Sequence, residues 1–255
     1  EEPKVTCVIP CYGRGDLLQP TLQKLHQFTP SYELVLVDDR SPDVARSIVA
    51  SHAYAWRILK PANEGFTKTA NDGLLFWLSR RETPFCVLLN TDVFARPGWL
   101  DAMLQCMNDI PKAGIVGPKL YANDEMTLVC SAGAEESGRH LSGQEPCHSK
   151  RRKGLLYFPF AAVMLRRTMV EQIGALDERL NRGPHYGTDE EYCVRATKAG
   201  WELWFEPKSK LVHAGGGGAS ISQWTHLTQR DPHTGKLLVP TEARLRQVQM
   251  EKAGV

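Results

Sequence analysis

The sequence has no long apolar run, no cysteine pair and little net charge. It contains no stretch of about 18 apolar residues, so no transmembrane helix is predicted, and its amino terminus lacks a signal-peptide pattern. The seven cysteines stand singly, with no Cys-x-x-Cys spacing, which argues against a disulfide framework or a structural zinc site. These absences favour a reducing compartment. We expect a cytoplasmic protein whose contact with membranes, if any, is peripheral.

A formal net charge of +2 over 255 residues gives no bulk attraction for nucleic acid or for an anionic membrane. A chain of this length, with 42% hydrophobic residues, can form one large α/β domain. The sequence starts with Glu1 rather than with methionine. We therefore expect residues 1–255 to be a single domain cut from a longer chain.

Short apolar runs alternate with amphipathic stretches through the first half of the chain. The predicted strands are Val5–Pro10, Glu33–Val37, Trp56–Leu59, Phe85–Leu89 and Gly114–Val116, and the predicted helices are Asp16–Phe28, Pro42–His52, Phe66–Ser79 and Pro97–Met107. Strands and helices that alternate at this spacing form a parallel sheet covered on both faces. We expect residues 1–118 to be a nucleotide-binding half.

The pattern changes after Pro118. Residues 119–160 predict short antiparallel strands and a long loop. Regular elements then return, with strands predicted at Ala161–Leu165 and Glu202–Glu206 and helices at Arg166–Ile173 and Asp189–Ala199. We expect residues 119–213 to form an acceptor and catalytic half. A run of four glycines predicts a mobile loop, followed by a polar helix, over residues 214–255.

Gly13-Arg14-Gly15 after the first strand, with an acidic residue ending the second, imitates a dinucleotide-binding fingerprint. The third glycine of that pattern is missing, because Leu18 stands in its place, and Pro10 ends the strand before the turn begins. An NAD-dependent oxidoreductase is therefore a poor rival. Ligands bind at the carboxyl edge of a parallel sheet under either interpretation.

Polar residues follow four successive predicted strands, at the point where each strand ends. The segments are Pro10-Cys11-Tyr12, Val37-Asp38-Asp39-Arg40-Ser41, Asn63-Glu64-Gly65 and Asn90-Thr91-Asp92. Because the carboxyl ends of parallel strands meet at one edge of the sheet, we expect these segments to converge on one crevice.

Together with Pro97-Gly98-Trp99-Leu100 and Gly174-Ala175-Leu176-Asp177-Glu178, these segments resemble the donor site of family 2 glycosyltransferases over roughly residues 4–213. The resemblance implies a GT-A fold, with a Rossmann-like, mostly parallel sheet, helices on both faces and a small antiparallel sheet on the acceptor side. It also implies an inverting transfer from a nucleotide-diphosphate sugar that depends on Mn²⁺ or Mg²⁺. The Gln-x-x-Arg-Trp pattern of processive synthases is absent, so we expect a non-processive enzyme.

The first two segments offer contacts for the nucleotide. Tyr12 has an aromatic face on which a pyrimidine can stack, and packing at the strand end is the alternative. Asp39 can accept a hydrogen bond from the ring N–H of uracil or thymine, which favours UDP or dTDP as the donor nucleotide. Asp38 would then serve the ribose or the turn. Pro10 is expected at the same nucleotide-binding edge.

The third segment opens a predicted helix. Asn63 is a normal helix cap as well as a candidate nucleotide contact, and Gly65 follows it closely. Lys68, one turn along, can reach the diphosphate or remain solvated. Asn71 is expected to line the same crevice.

Asp92 is the central prediction for the metal. Expelling a nucleotide diphosphate accumulates negative charge, which a hard cation bound by a carboxylate neutralises. The resembled family has an Asp-x-Asp-like motif here, and in this chain Asn90 replaces its first aspartate. Asn90 and Thr91 then remain donor contacts. His213 matches a position where relatives complete the metal site, and a structural histidine is the alternative.

Inversion needs a carboxylate to take the proton of the acceptor hydroxyl. The resemblance assigns this role to Asp189, with Thr188 standing where the family has glutamate. Thr188 and Glu191 also have the spacing of a capping box, so the acids can serve the helix start alone. His185, Tyr186 and Glu191 are candidate acceptor contacts.

Two further features leave alternatives open. The basic run Lys150-Arg151-Arg152-Lys153 is typical of a solvated face, or it touches a phosphorylated or lipid-linked acceptor. Changes at Asn90 and Thr188 also fit a sugar-nucleotide-binding domain that has lost catalysis, and a nucleotidyltransferase would share a similar sheet. The acceptor class stays open among glycans, lipid-linked molecules and proteins, and no nucleic-acid partner is expected.

Overall fold

A computed structural model of the chain describes residues 4–80, 82–180 and 187–214. The strands in these ranges are β1 (Val5–Cys11), β2 (Glu33–Asp38), β3 (Trp56–Leu59), β4 (Phe85–Leu89), β5 (Val93–Ala95), β6 (Ala113–Tyr121), β7 (Leu128–Ser131), β8 (Gly143–Gln144), β9 (Arg152–Lys153), β10 (Ala162–Arg166) and β11 (Glu202–His213). The helices are α1 (Gly15–Phe28), α2 (Ala45–Ser51), α3 (Phe66–Arg80), α4 (Trp99–Asp109), α5 (Arg167–Ile173) and α6 (Thr188–Lys198).

The described residues form one central sheet, whose strands have the order β3-β2-β1-β4-β10-β6-β11-β5. β1, β2, β3 and β4 are parallel neighbours, and β6 is parallel to β11. β10 runs antiparallel between β4 and β6, and β5 runs antiparallel beside β11. The predicted mostly parallel sheet is therefore confirmed, and its parallel strands end at a common edge.

Alternation along the central strands explains why helices cover both faces. Cys7 and Ile9 of β1 pack in a core with α1, α2 and α4, while Val8 packs in a second core with α3, α5 and α6. Successive side chains of a strand point to opposite faces, and every residue of β1 is buried. A continuous apolar run is what a parallel strand buried on both faces requires.

The small antiparallel sheet predicted for the second half is formed by β6, β7 and β8. The prediction of β6 was too short, because the strand runs beyond Val116 to Tyr121. The prediction of β11 was also too short. Pro207 interrupts its apolar pattern, but a register shift between Glu206 and Lys210 accommodates the proline and the strand continues to His213.

Two further predictions differ from the structure. The helix predicted over Pro42–His52 forms only from Ala45 to Ser51, and the short strand β5 was not predicted at all. Among the described residues, no helix is both long enough and apolar enough to cross a membrane. His185, Tyr186 and the mobile loop and final helix predicted over 215–255 lie outside the described residues.

Candidate active site

Strand register brings Asp92 and His213 together at the carboxyl edge of the sheet. β5 pairs with the end of β11 so that Val93 lies opposite His213. Asp92 directly precedes Val93, and its carbonyl accepts a hydrogen bond from the N–H of Ala214 at 2.8 Å. The Nε2 atom of His213 consequently lies 3.3 Å from Oδ1 of Asp92.

These two atoms are suited to a shared cation. Within the described ranges, Oδ1 of Asp92 and Nε2 of His213 are both buried without a well-formed hydrogen bond. Burial opposes a charged imidazole, but Asp92 and Cys130 outweigh burial and raise the pKa of His213 to about 9. Without an ion, a ring with this pKa carries a proton at neutral pH and pairs with Asp92. A divalent ion would replace that proton and bind both atoms. In the part of the chain that the structure describes, no third histidine, cysteine or acid completes a metal-binding group.

Asp38 builds the turn after β2. Its buried carboxylate accepts hydrogen bonds from the backbone N–H groups of Arg40, at 3.1 Å, and Ser41, at 3.2 Å, and it pairs with the guanidinium of Arg46. Asp38 was expected to contact the ribose or to stabilise the turn. Its hydrogen bonds to Arg40 and Ser41 support the role in the turn.

Asp39 ties the end of β2 to the segment before α3. Its two oxygens accept hydrogen bonds from the backbone N–H groups of Glu64 and Gly65, both at 2.8 Å. Gly65 has a φ of +86°, a left-handed conformation that favours glycine. The segment therefore lies beside Asp39, with Asn63 exposed on it and Tyr12 44% exposed at the end of β1. Pro10 is buried within β1, opposite Val37.

A buried lysine that the sequence analysis missed lies under this segment. Nζ of Lys60 lies 3.4 Å from Asp39, 3.1 Å from Glu64 and 3.0 Å from Asp72. The side chain of Lys68 is paired with Glu64 as well. The ammonium group of Lys68, which was expected to contact the diphosphate, therefore already forms an ion pair with Glu64 at the start of α3.

The prediction that Asn71 lines the crevice is wrong. Its side-chain amide is buried, donates to the carbonyl of Leu176 at 2.9 Å and accepts from the N–H of Leu176 at 2.9 Å. The amide nitrogen also lies 3.0 Å from the carboxylate of Glu178. The side-chain amide of Asn71 forms the same pair of hydrogen bonds to Leu176 that a neighbouring backbone would form, and so connects α3 to the segment before α6.

Asp189 lies in the first turn of α6. Burial raises its pKa to about 6, although backbone N–H groups, including that of Phe160, oppose the rise. Phe160 adjoins Ala161, whose carbonyl accepts a hydrogen bond from the N–H of Asn90 at 2.8 Å. This chain of contacts places Asp189 at the same edge of the sheet as Asn90, Thr91 and Asp92. Thr91 is fixed there by its carbonyl, which accepts from Thr21 at 2.7 Å.

The capping box predicted for α6 does not form. The hydroxyl of Thr188 lies 3.1 Å from that of Thr67 and joins the starts of α6 and α3. Glu191 is buried and forms an ion pair with Arg195 at 2.8 Å. That guanidinium also binds the carbonyls of Ile173 and Ala175. The carboxylate of Glu191 is turned to this pair, so its expected contact with an acceptor is not supported.

Arg14 is a charged residue that the sequence analysis left without a role in the site. It has φ 57° and ψ 45°, a left-handed conformation that is costly for arginine. Its side chain pairs with Asp16, whose own side chain is 64% exposed. The hydrogen bond to Asp16 is the main cause that raises the pKa of Arg14, and the charge of Asp92 adds to it. Arg14 therefore lies close enough to the proposed metal-binding carboxylate to interact with its charge.

Two residues of the basic run, Arg151 and Lys153, are engaged in ion pairs. Arg151 contacts Asp109 at 3.0 Å and Glu206 at 2.5 Å, and Lys153 contacts Glu202 at 2.7 Å. These ion pairs account for Arg151 and Lys153 but not for Arg152, whose Nε and Nη2 atoms are buried without a hydrogen-bond partner among the described residues.

Comparison with known proteins identifies relatives of the chain. A family model described as glycosyl transferase family 2 matches residues 6–174. The pre-mycofactocin glycosyltransferase of Mycobacterium tuberculosis is 28% identical over 212 residues, which are 82% of this chain and 42% of the relative. The O-antigen biosynthesis protein RfbC of Myxococcus xanthus is 25% identical, over 83% of this chain and 17% of the relative. The chain therefore spans less than half the length of these relatives.

Solved structures share the fold. GalNAc-T7 with UDP, GalNAc and Mn²⁺ superposes with a TM-score of 0.64 at 15% identity, over 84% of this chain and 44% of that one. The mannosyltransferase PcManGT from Pyrobaculum calidifontis, with GDP-Man and Mn²⁺, superposes with a TM-score of 0.60 at 16% identity, over 98% and 70%. These likenesses establish the fold as GT-A.

Proposed function

The chain belongs to glycosyl transferase family 2, and we propose that it transfers a sugar from a nucleotide-diphosphate donor to an acceptor hydroxyl with inversion at the anomeric carbon. The observation that carries this proposal is the convergence of Asp92, His213 and Asp189 at one edge of the sheet. A non-processive, single transfer is proposed, since the pattern of processive synthases is absent from the sequence.

Donor binding is assigned to the turns after β1, β2 and β4. The half-exposed ring of Tyr12 is available for stacking. Each oxygen of Asp39 accepts one backbone N–H, and a carboxylate has about four acceptor sites in all. One more hydrogen bond from a uracil or thymine ring can therefore be added, which supports UDP or dTDP. GalNAc-T7, which shares the fold, binds UDP in its crystal structure.

Asp92 and His213 would hold a divalent ion, Mn²⁺ or Mg²⁺, which supplies positive charge to the departing diphosphate. Arg14 adds a second positive charge on the same side. Its pair with the exposed Asp16 is weak enough to be exchanged for a phosphate, whereas the buried Lys60 is enclosed by three carboxylates.

Asp189 is proposed as the base. At neutral pH a carboxyl group with a pKa of about 6 is mostly ionised and still basic enough to take a proton. The acceptor oxygen forms its bond to the anomeric carbon as its proton passes to Asp189, and the bond from that carbon to the diphosphate oxygen breaks. We propose a glycan, lipid-linked or protein acceptor, and the similarity to the O-antigen biosynthesis protein RfbC favours polysaccharide biosynthesis.

The test is thermal stabilisation by UDP, dTDP and GDP, with and without Mn²⁺, for the native chain and for Asp92→Ala. A ligand present at a hundred times its Kd stabilises the folded state by about 2.7 kcal/mol. We expect a shift with UDP or dTDP plus Mn²⁺ that Asp92→Ala removes. A shift with nucleoside triphosphates or NADH alone would contradict the proposal. Donor binding without any transfer, unaffected by Asp189→Asn, would identify a binding domain that has lost catalysis.

A further inference from the structure

Two histidines meet at the end of the molecule that is remote from the proposed active site. α1 starts next to Arg14 and has 14 residues, so it is about 20 Å long. His26 lies in its last turn, and His52 follows the last residue of α2. Both positions therefore lie near the amino-terminal ends of the parallel strands, and nothing in the proposed transfer uses them.

The ring nitrogens of this pair face each other. Nε2 of His26 lies 3.1 Å from Nε2 of His52. Two imidazole nitrogens bound to one metal ion at about 2.0–2.1 Å are themselves about 2.8–3.4 Å apart. We propose that His26 and His52 bind a divalent transition-metal ion of the Ni²⁺, Zn²⁺ and Cu²⁺ class through these two atoms.

Neighbouring groups prepare both rings for this role. The hydroxyl of Tyr32 lies 2.6 Å from Nδ1 of His26. If Nδ1 carries the proton and donates to Tyr32, the lone pair of Nε2 is directed at the proposed ion, which is the usual arrangement around a metal-bound histidine. Burial lowers the pKa of His26, and burial, His26 and Arg57 lower the pKa of His52.

The surroundings leave room for the rest of a coordination shell. A cavity of about 370 Å³ is lined by both histidines together with polar side chains, namely Gln19, Gln23 and Ser51, and by Tyr54. Water and amide oxygens can fill the remaining positions. Imidazole ligands favour late transition metals over Mg²⁺ or Mn²⁺, so this site and the donor site select different ions. A bound ion would join the ends of α1 and α2.

The site is tested by calorimetric titration of Ni²⁺ into metal-free, tag-free protein. The titration uses the His213→Ala background, so that the donor site does not contribute. We expect a Ni²⁺ site whose affinity falls about tenfold or more in His52→Gln and in His26→Gln. His148→Gln changes a partly exposed histidine outside the pair and should leave the isotherm unchanged.

Tyr32→Phe keeps both ligands and removes only the hydroxyl beside His26, so it guards against a folding defect in the histidine variants. It should weaken Ni²⁺ binding by about tenfold. The proposal would be overturned if the isotherms of His26→Gln and His52→Gln superposed on that of the His213→Ala parent. In that case His26 and His52 would only share a hydrogen bond. The outcome does not depend on whether the chain binds a sugar nucleotide.

Discussion

Carboxylates at one edge of this sheet differ in what surrounds them. Asp38 and Asp39 each accept two backbone N–H groups and each lie beside a cation. Asp189 accepts backbone N–H groups as well, but no ion pair to it is present among the described residues, and burial raises its pKa to about 6. Burial disfavours the ionised form of a carboxyl group, and no cation in the described ranges compensates for it here. This raised pKa suits Asp189 to proton transfer.

The pH dependence of transfer follows from this raised pKa. Asp189 must be ionised to accept a proton, so kcat/KM should fall about tenfold per pH unit below pH 6 and level off above it. Initial rates between pH 4.5 and 8 measure the profile. Asp189→Asn should abolish transfer while leaving the UDP-dependent thermal shift intact. A profile that is flat through pH 6 would exclude Asp189 as the base.

The same residue should cost the fold some stability. The folded pKa of Asp189 lies above the unfolded value of about 3.9, so the charged form is disfavoured in the folded state at neutral pH, and the cost declines as the pH falls from 6 to about 3.9. Asp189→Asn should therefore raise Tm at pH 7.5 and raise it clearly less at pH 4.5. Thermal unfolding at both values checks the sign, with Asp101→Asn on the exposed start of α4 as the control.

Arg14 and Arg40 form a matched pair for testing phosphate contact. Both are arginines with left-handed backbones at the same sheet edge, with φ of 57° and 58°, but the field of Asp92 acts on Arg14. Arg14→Ala should weaken UDP binding about tenfold or more and leave uridine binding unchanged, because only UDP carries the diphosphate. Arg40→Ala should resemble the native chain. Equal losses in both variants would refute a specific role for Arg14.

At the scale of elements, α3 packs unusually close to β1. A Cβ added at Gly73 would lie 2.3 Å from Cγ1 of Val8 and 3.2 Å from Val37. In an exposed helix, glycine to alanine is stabilising by about 1 kcal/mol. Here the overlap reverses the sign, and Gly73→Ala should lower the free energy of unfolding by about 1–3 kcal/mol. Urea denaturation measures it, and Ser79→Ala on the exposed side of α3 should change little. Stabilisation by Gly73→Ala would contradict this packing.

The sequence predicted correctly those elements that depend on patterns of neighbouring residues. The apolar runs located β1, β2 and β4, and the polar residues at their ends located Asp39 and Asp92. Asn71 could not be assigned, because its partner Leu176 is 105 residues away and no local signal reveals that contact. The pair between Glu191 and Arg195 follows the i, i+4 rule of helices and could have been recognised. The spacing of a capping box gave the wrong partner.

At the scale of the whole molecule, the two halves of the sequence do not form two halves of the structure. β4 belongs to the first half, and its neighbour β10 belongs to the second. β5, which directly follows Asp92, is held in the sheet only through β11 among the described strands. Separating the chain near Pro118 would expose the buried edge of β4 and leave β5 without its pairing strand.

We therefore expect the chain to unfold as one unit. Tryptophan fluorescence and far-ultraviolet circular dichroism should give coincident urea transitions, because Trp77 and Trp204 lie on opposite sides of the proposed boundary within the same sheet assembly. A fragment of residues 1–118 should lack a cooperative transition and should not respond to UDP. Two resolved transitions, or a folded fragment that binds UDP, would show that the nucleotide-binding half is autonomous. Coincident transitions would mean that the turns assigned to donor binding depend on strands of the acceptor half for their position.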